Sequence, residues 1–333
     1  MELFSIGVDL GGTNLRVATY TPHYGLQNRR SVRTRLQDGP AAVAEDISSL
    51  IHDAKASRSS TASCLGVCVA APGPLELPLG RFHQPPNLPG WDGFELLQAL
   101  ESRLDIPVFL DNDANVAALA ECHLGSGKEL ALDNLNMLTL GTGVGHGIIS
   151  GGRIVHGANG LAGEAGHVSV QPDGELCNCG NHGCLEVYAS ARAIRREAVR
   201  LAEQGAPGLA RFLKVQPEAT AGDFYSLAVS GDADAQSIFD RAGRAIGICI
   251  ASLINTFNPA LVVIAGGVSD AWPLLSPKIF EELQHRSYIY RLTQPGSRFQ
   301  QHTIVQKATL GADAGLTGAA LYPFGYGERS IQA

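Results

Sequence analysis

The segment Leu110-Asp-Asn-Asp-Ala-Asn115 sets two carboxylates, Asp111 and Asp113, between an apolar run and an alanine-rich stretch. A carboxylate where a helix begins has two uses. By position alone Asp113 reads first as an N-cap, a common job for Asp. It can also accept the proton of an attacking hydroxyl, as an Asp does in phosphoryl transfer, with the helix N-terminus keeping it ionised near neutral pH. The second use requires a phosphate nearby.

Three apolar runs end in glycine-rich turns: Phe4-Ser-Ile-Gly-Val-Asp-Leu-Gly-Gly-Thr13, Met137-Leu-Thr-Leu-Gly-Thr-Gly-Val-Gly145 and Leu261-Val-Val-Ile-Ala-Gly-Gly267. Any one of them is compatible with an ordinary turn. Three spread over both halves point to phosphate loops, because glycine lets a ligand approach the backbone closely. In the first, the amides of Gly11 and Gly12 and the Thr13 hydroxyl would face phosphate oxygens, and Asp9 would hold Mg²⁺ through water, since Mg²⁺ dehydrates reluctantly. In the second, Thr142 and Gly143 would close on the β- and γ-phosphates. In the third, Gly266 and Gly267 would pack against adenosine. None is a Walker A loop or a G-x-G-x-x-G fingerprint.

His167, Cys177, Cys179 and Cys184 follow the spacing H-x9-C-x-C-x4-C, which matches a Cys₃His zinc site with all four positions filled, structural rather than catalytic. His182 is a rival ligand inside the loop; three buried free thiols and a redox role for Cys177 and Cys179 are the other readings. Glu164 and Glu186 flank these ligands and are placed to accept hydrogen bonds from sugar hydroxyls.

Two domains of ordinary size fit in 333 residues. Hydrophobic content of 45% and charged content of 17% describe a globular chain, and a net charge of −7 argues against broad nucleic-acid binding. No apolar run approaches the roughly 20 residues of a membrane span, and the first residues lack a basic n-region. Seven cysteines, three of them within eight residues, favour a reduced compartment, the cytoplasm. Helices interleave with strands: one is expected from Asp113 to Leu124 and another from about Ala235 to Phe257, ended by Asn258-Pro259. The class is α/β. Boundaries are expected near 112 and 310, giving a smaller domain of 1–112 plus 311–333 and a larger one, 113–310, that carries the zinc loop.

Taken together, Gly7-Val-Asp-Leu-Gly-Gly-Thr13, Asp111-Asn-Asp-Ala-Asn115, Gly141-Thr-Gly-Val-Gly145, Gly163-Glu-Ala-Gly-His167 and Cys177-Asn-Cys-Gly-Asn-His-Gly-Cys-Leu-Glu186 resemble the ROK family of sugar kinases and sugar-responsive repressors. The resemblance extends to Leu310-Gly-Ala-Asp-Ala-Gly-Leu-Thr-Gly-Ala319. It implies an actin-like (ribonuclease H-like) duplicated fold, with ATP and sugar in a cleft between two domains. It also implies Asp113 as catalytic base, Asn112, Glu164, His167 and Glu186 on the sugar, and a homodimer or homotetramer. Asn87-Leu-Pro-Gly-Trp91 is similar to a segment of the glucokinase branch that lies near the sugar, which adds Asn87. The family usually has Lys where Asn14 follows Gly-Gly-Thr, so a nucleotide contact there passes to Asn14, with Arg16 as a possible substitute. His146 stands where a small residue is usual.

The implied reaction is transfer of the γ-phosphoryl of MgATP to the 6-hydroxyl of a hexose, glucose first, with N-acylmannosamine and fructose as alternatives and polyphosphate as an alternative donor. A repressor of this family carries a winged helix-turn-helix ahead of the first glycine loop, and here that strand begins about four residues in. DNA binding is therefore disfavoured. A catalytically silent sugar-binding protein would have little reason to keep Asp113 beside intact phosphate loops.

Overall fold

The computed structural model describes residues 2–77 and 79–326. Its first sheet is built from β1 (Leu3–Leu10), β2 (Asn14–Thr21), β3 (Gly25–Arg33), β4 (Ser63–Ala71) and β5 (Val108–Asn112), in the order β3-β2-β1-β4-β5. The first three strands are antiparallel, and β4 and β5 run parallel to β1. Phe4, Ile6, Val8 and Leu10 alternate along β1 and enter one core with Ile47 and Ile51 of helix α1 (Pro40–Ala56). Each such buried side chain contributes on the order of 1.5–3 kcal/mol. Helix α2 (Asp113–His123) follows β5 without an intervening residue.

The second sheet comprises β6 (Leu135–Leu140), β7 (Val144–Ser150), β8 (Arg153–Ile154), β9 (Leu261–Ala265) and β10 (Ile304–Lys307), in the order β8-β7-β6-β9-β10. The first strand in sequence is again central, with the second and third on one side and the fourth and fifth on the other. One strand order used twice is the duplicated actin-like α/β fold. Helices α3 (Ala191–Glu203), α4 (Ala233–Phe257) and α5 (Trp272–Arg286) lie between β8 and β9 or β9 and β10 in the chain, and α6 (Ala314–Leu321) follows β10. In α4 the expected stripe Ile238, Ala242, Ile246, Ile250 and Leu253 is buried, whereas Phe257, in the last turn, is 46% exposed.

Two compact units result: residues Met1–Asn134, Gly147–Gly163 and Thr309–Ala333 in one, Leu135–His146 and Glu164–Ala308 in the other. This differs from the division expected at 112. Helix α2 stays with the first unit because it packs tightly on α6; a Cβ on Gly318 would lie only 1.7 Å from the Val116 carbonyl oxygen. The returning segment starts at Thr309 rather than 311, and residues 327–333 lie outside the described residues. The stretch 204–234 holds helices Pro207–Val215 and Ala221–Val229. Among the described residues no helix is long and apolar enough to cross a membrane.

Candidate active site

In the first unit the end of β5 governs the local chemistry. Asn112 has extended backbone (φ −66°, ψ 141°), and its side-chain oxygen accepts from the Ala114 N–H at 2.9 Å. Asn112 is therefore the cap of α2, and Asp113 is the first helical residue rather than the N-cap that position alone favoured. Asp113 also accepts from the Ala114 N–H, at 2.8 Å, and is exposed. Asp111 is fully buried. Its Oδ1 accepts from its neighbour Asn112 N–H at 2.7 Å and from Asn115 Nδ2 at 2.9 Å, and its Oδ2 from His156 Nε2 at 2.7 Å. A buried carboxylate is tolerated only when its lone pairs are met in this way.

The Asp9-Leu-Gly-Gly-Thr13 turn belongs to the same unit. The Gly11 N–H donates to the Asn14 carbonyl at 3.0 Å, and the Thr34 hydroxyl donates to the Gly11 carbonyl at 2.7 Å. These bonds hold the turn open, with Gly12, Thr13 and Asn14 exposed. The Asn87 carbonyl lies 3.3 Å from where a Gly12 Cβ would be, so the Asn87 segment and the turn are neighbours. Arg16, considered as a phosphate contact, instead donates to Asp9 through Nε at 2.9 Å and through Nη2, and Nη2 also reaches the Ala312 carbonyl at 3.0 Å. Both contacts fall on Asp9 Oδ2. Among the described residues Oδ1 receives no hydrogen bond, which leaves it open to a hydrated cation.

In the second unit the glycine loop 141–143 links β6 to β7. The Val144 N–H donates to Glu186 Oε2 at 2.9 Å, and a Cβ on Gly143 would meet the same oxygen at 2.5 Å. The Gly141 carbonyl accepts from Ala191 N–H at 2.8 Å. Glycine at 266 has φ +83°, and a side chain there would strike the Leu140 carbonyl at 2.4 Å. Gly141 and Gly267 differ. Neither has positive φ, and a Cβ at either would meet nothing within 4 Å, so the folded chain itself does not require glycine there. Space next to an unhindered amide suits a ligand.

His146 neither points outward nor faces the loop. It is buried, its ring meets Asn136 Oδ1 at 2.8 Å through Nε2, and burial lowers its pKa to about 4.

The ligand atoms of His167, Cys177, Cys179 and Cys184 all lie within 4.8 Å of one another. Cys179 Sγ and Cys184 Sγ are 3.7 Å apart, and Cys177 Sγ is 3.7 Å from His167 Nδ1. A tetrahedron with Zn–S bonds of about 2.3 Å has edges of about 3.8 Å, so donor set and spacing both fit zinc. With Nδ1 on the cluster, Nε2 of His167 is left for another partner. His182 turns away, its Nδ1 meeting the Gly174 carbonyl at 3.1 Å. Leu185 and Glu186 follow Cys184 directly, so the cluster and the Val144 contact are joined by two residues. Burial raises the Glu164 carboxyl pKa; the Glu186 charge adds to this and His167 opposes it.

Two polar residues escaped the sequence reading. His156 closes a loop by accepting from the Ala162 N–H through its carbonyl at 2.9 Å, besides meeting Asp111. Glu121, fully buried in α2, accepts from Leu310 N–H at 2.7 Å and Ser126 N–H at 3.0 Å. A carboxylate inside an alanine-rich buried helix was the available signal for Glu121; for His156 it was the need of Asp111 for a donor.

The ROK family model matches residues 5–323. A glucokinase of Halalkalibacterium halodurans is 38% identical over 316 residues, 94% of this chain and 92% of that one. A ROK family glucokinase from Streptomyces griseus, solved in complex with glucose and AMPPNP, superposes with a TM-score of 0.76 at 31% identity, covering 95% of this chain and 98% of that one. A ROK family transcriptional regulator, a homologue of the Escherichia coli MLC protein, gives 0.82 at 26% identity, over 98% of this chain and 79% of the regulator.

Proposed function

Since the chain belongs to the ROK family, we propose that it is an ATP-dependent hexose kinase that converts glucose to glucose 6-phosphate. The observation that carries this reading is at Asp113. Asn112 supplies the cap of α2, so the helix does not depend on the next residue for that role. A carboxylate in the first turn is kept ionised by the helix dipole and can take the proton of the 6-hydroxyl as its oxygen attacks the γ-phosphorus. The glucokinase of H. halodurans, matched over nearly the whole chain, supports the same reading.

Asn87 and Asn112 of the first unit, and Glu164, His167 and Glu186 of the second, are assigned to the sugar hydroxyls. The Gly11–Gly12 turn, the Thr13 hydroxyl and Asn14 are assigned to the phosphates, as are Thr142 and Gly143. Because the Gly11 N–H is spent on the Asn14 carbonyl, the expected amide donor of the turn is that of exposed Gly12. Gly266 and Gly267 are assigned to the adenosine. Asp9 would hold Mg²⁺, which supplies neutralisation of phosphate charge when bound. His167, Cys177, Cys179 and Cys184 would hold zinc, whose part is to fix the orientation of His167 and of the segment leading to Glu186. A cytoplasmic homodimer or homotetramer completes the proposal; light scattering of the purified protein tests the assembly.

The test of the activity is ADP release across glucose, fructose, allose and N-acylmannosamine, with polyphosphate as a second donor. Glucose with ATP is expected to give the highest kcat/KM. The regulator's higher TM-score keeps a sugar sensor as the second reading. Sugar binding without ADP release from any hexose would favour that sensor.

A further inference from the structure

The carboxylate of Asp111 is fully enclosed one residue before the capping Asn112 and two before Asp113. An ionised carboxylate is an acceptor only, so the 2.7 Å contact with His156 assigns the proton to its Nε2. The His156 side chain is only 10% exposed. Oδ1 of the same carboxylate receives the Asn112 N–H and the Asn115 side-chain amide. One carboxylate therefore gathers a loop, the last peptide of β5 and the first turn of α2. The loop is Val155–Ala162, closed by the bond from the Ala162 N–H to the His156 carbonyl, and two residues later the chain reaches Glu164.

We infer that His156 is a positioning residue for phosphoryl transfer: by donating to Asp111 it fixes the Asn112 peptide, and through it the orientation of Asp113. This rests on the assignment of Asp113 as base. His156 is not itself placed on the substrate. A competing account, in which the pair merely neutralises a buried carboxylate, predicts lost stability with no selective effect on the acceptor. Positioning predicts a defect confined to the hexose, because the nucleotide groups assigned to the Asp9 turn are not joined to Asp111 by any of these bonds. Displacements of about 1 Å in a reacting group cost up to about 100-fold in rate.

Two amide substitutions separate the accounts. Glutamine can reach Asp111 with its Nε2–H, whereas asparagine is one methylene too short. Steady-state ADP release is measured with glucose and MgATP varied in turn for the parent, H156N, H156Q and D113N, together with their melting temperatures. H156N is expected to lose about tenfold or more in kcat/KM for glucose while its KM for MgATP stays within about twofold, and H156Q is expected to recover to within about threefold of the parent. Equal losses in the two variants, or a MgATP KM that moves in step with the glucose one, overturns the inference. Parent-level activity in H156N while D113N is inactive overturns it alone, whereas an active D113N removes the base assignment beneath it. Should H156N not fold, proton exchange decides: a slowly exchanging proton on His156 Nε2 is expected in the parent, and fast exchange there sinks the proposal.

Discussion

Glu186 Oε2 accepts the Val144 N–H at 2.9 Å, two residues beyond Cys184 in sequence. A side chain proposed for the sugar is thus also the anchor of the second glycine loop, and Gly143 is small because Glu186 lies against it. On the proposed assignments, sugar and phosphate recognition would meet at this one carboxylate.

Substitution can separate those two duties. E186Q keeps an oxygen able to accept from Val144, so its KM for ATP should stay close to the parent's while its affinity for glucose falls. E186A loses both. A hydrogen bond to a charged group is worth about 1.5–3 kcal/mol, so the losses are expected between about 10- and 100-fold. Calorimetric titration with glucose and with an unreactive ATP analogue measures each, and an ATP affinity untouched in E186A refutes the anchoring role.

For Asp113 the expected outcome of D113N is a fall in kcat of about 10²–10⁴-fold, with glucose binding still measurable. Asn112 keeps the cap, so the melting temperature should hardly change. Near-normal turnover in D113N would remove the residue from the mechanism.

The cysteine cluster makes a prediction that needs no assay of activity. Elemental analysis of the purified protein should find one zinc per chain, and C179S should lose it. Cys179 is the exposed member of the set, so a chelator should reach the site there. Loss of the metal is expected to lower the melting temperature and raise the KM for glucose, since Glu186 hangs on the same knuckle.

Gly267 offers a case where stability and function should diverge. Alanine there meets nothing within 4 Å and has compatible backbone, so G267A should fold at least as stably as the parent. Its KM for ATP should nevertheless rise if adenosine lies on that surface. An unchanged KM would detach Gly267 from the nucleotide.

Acid stability follows from His146. Burial lowers its pKa to about 4, whereas an unfolded imidazole titrates near 6.5. Between those values the unfolded chain binds the extra proton, so stability falls as pH falls from about 6.5 to 4, and above 6.5 the residue adds no pH dependence. The loss amounts to about 3 kcal/mol at most. Urea unfolding at pH 7 and pH 4.5 checks it: H146Q, which can still bond Asn136, should show a flatter profile than the parent.

Local patterning determined the strands ending in glycine turns, the helix after Asp113, the long helix near 235–257 and the membership of the Cys₃His cluster. Each depends on neighbours in sequence, through side-chain period, breaker residues or ligand spacing. What Asp9, Arg16, His146 and Asp111 do was decided only in three dimensions. Arg16 faced Asp9 because β1 and β2 pair Asp9 with Arg16 in register, and His156 reached Asp111 from 45 residues away. The same applies to the boundary near 112: the contact of Val116 with Gly318 kept α2 in the first unit. The cap fell to Asn112 because that residue, not Asp113, holds the extended backbone that lets a side chain turn back to the first free N–H. Composition and spacing identify groups able to do chemistry; burial and register decide which of them are spent on holding the others in place.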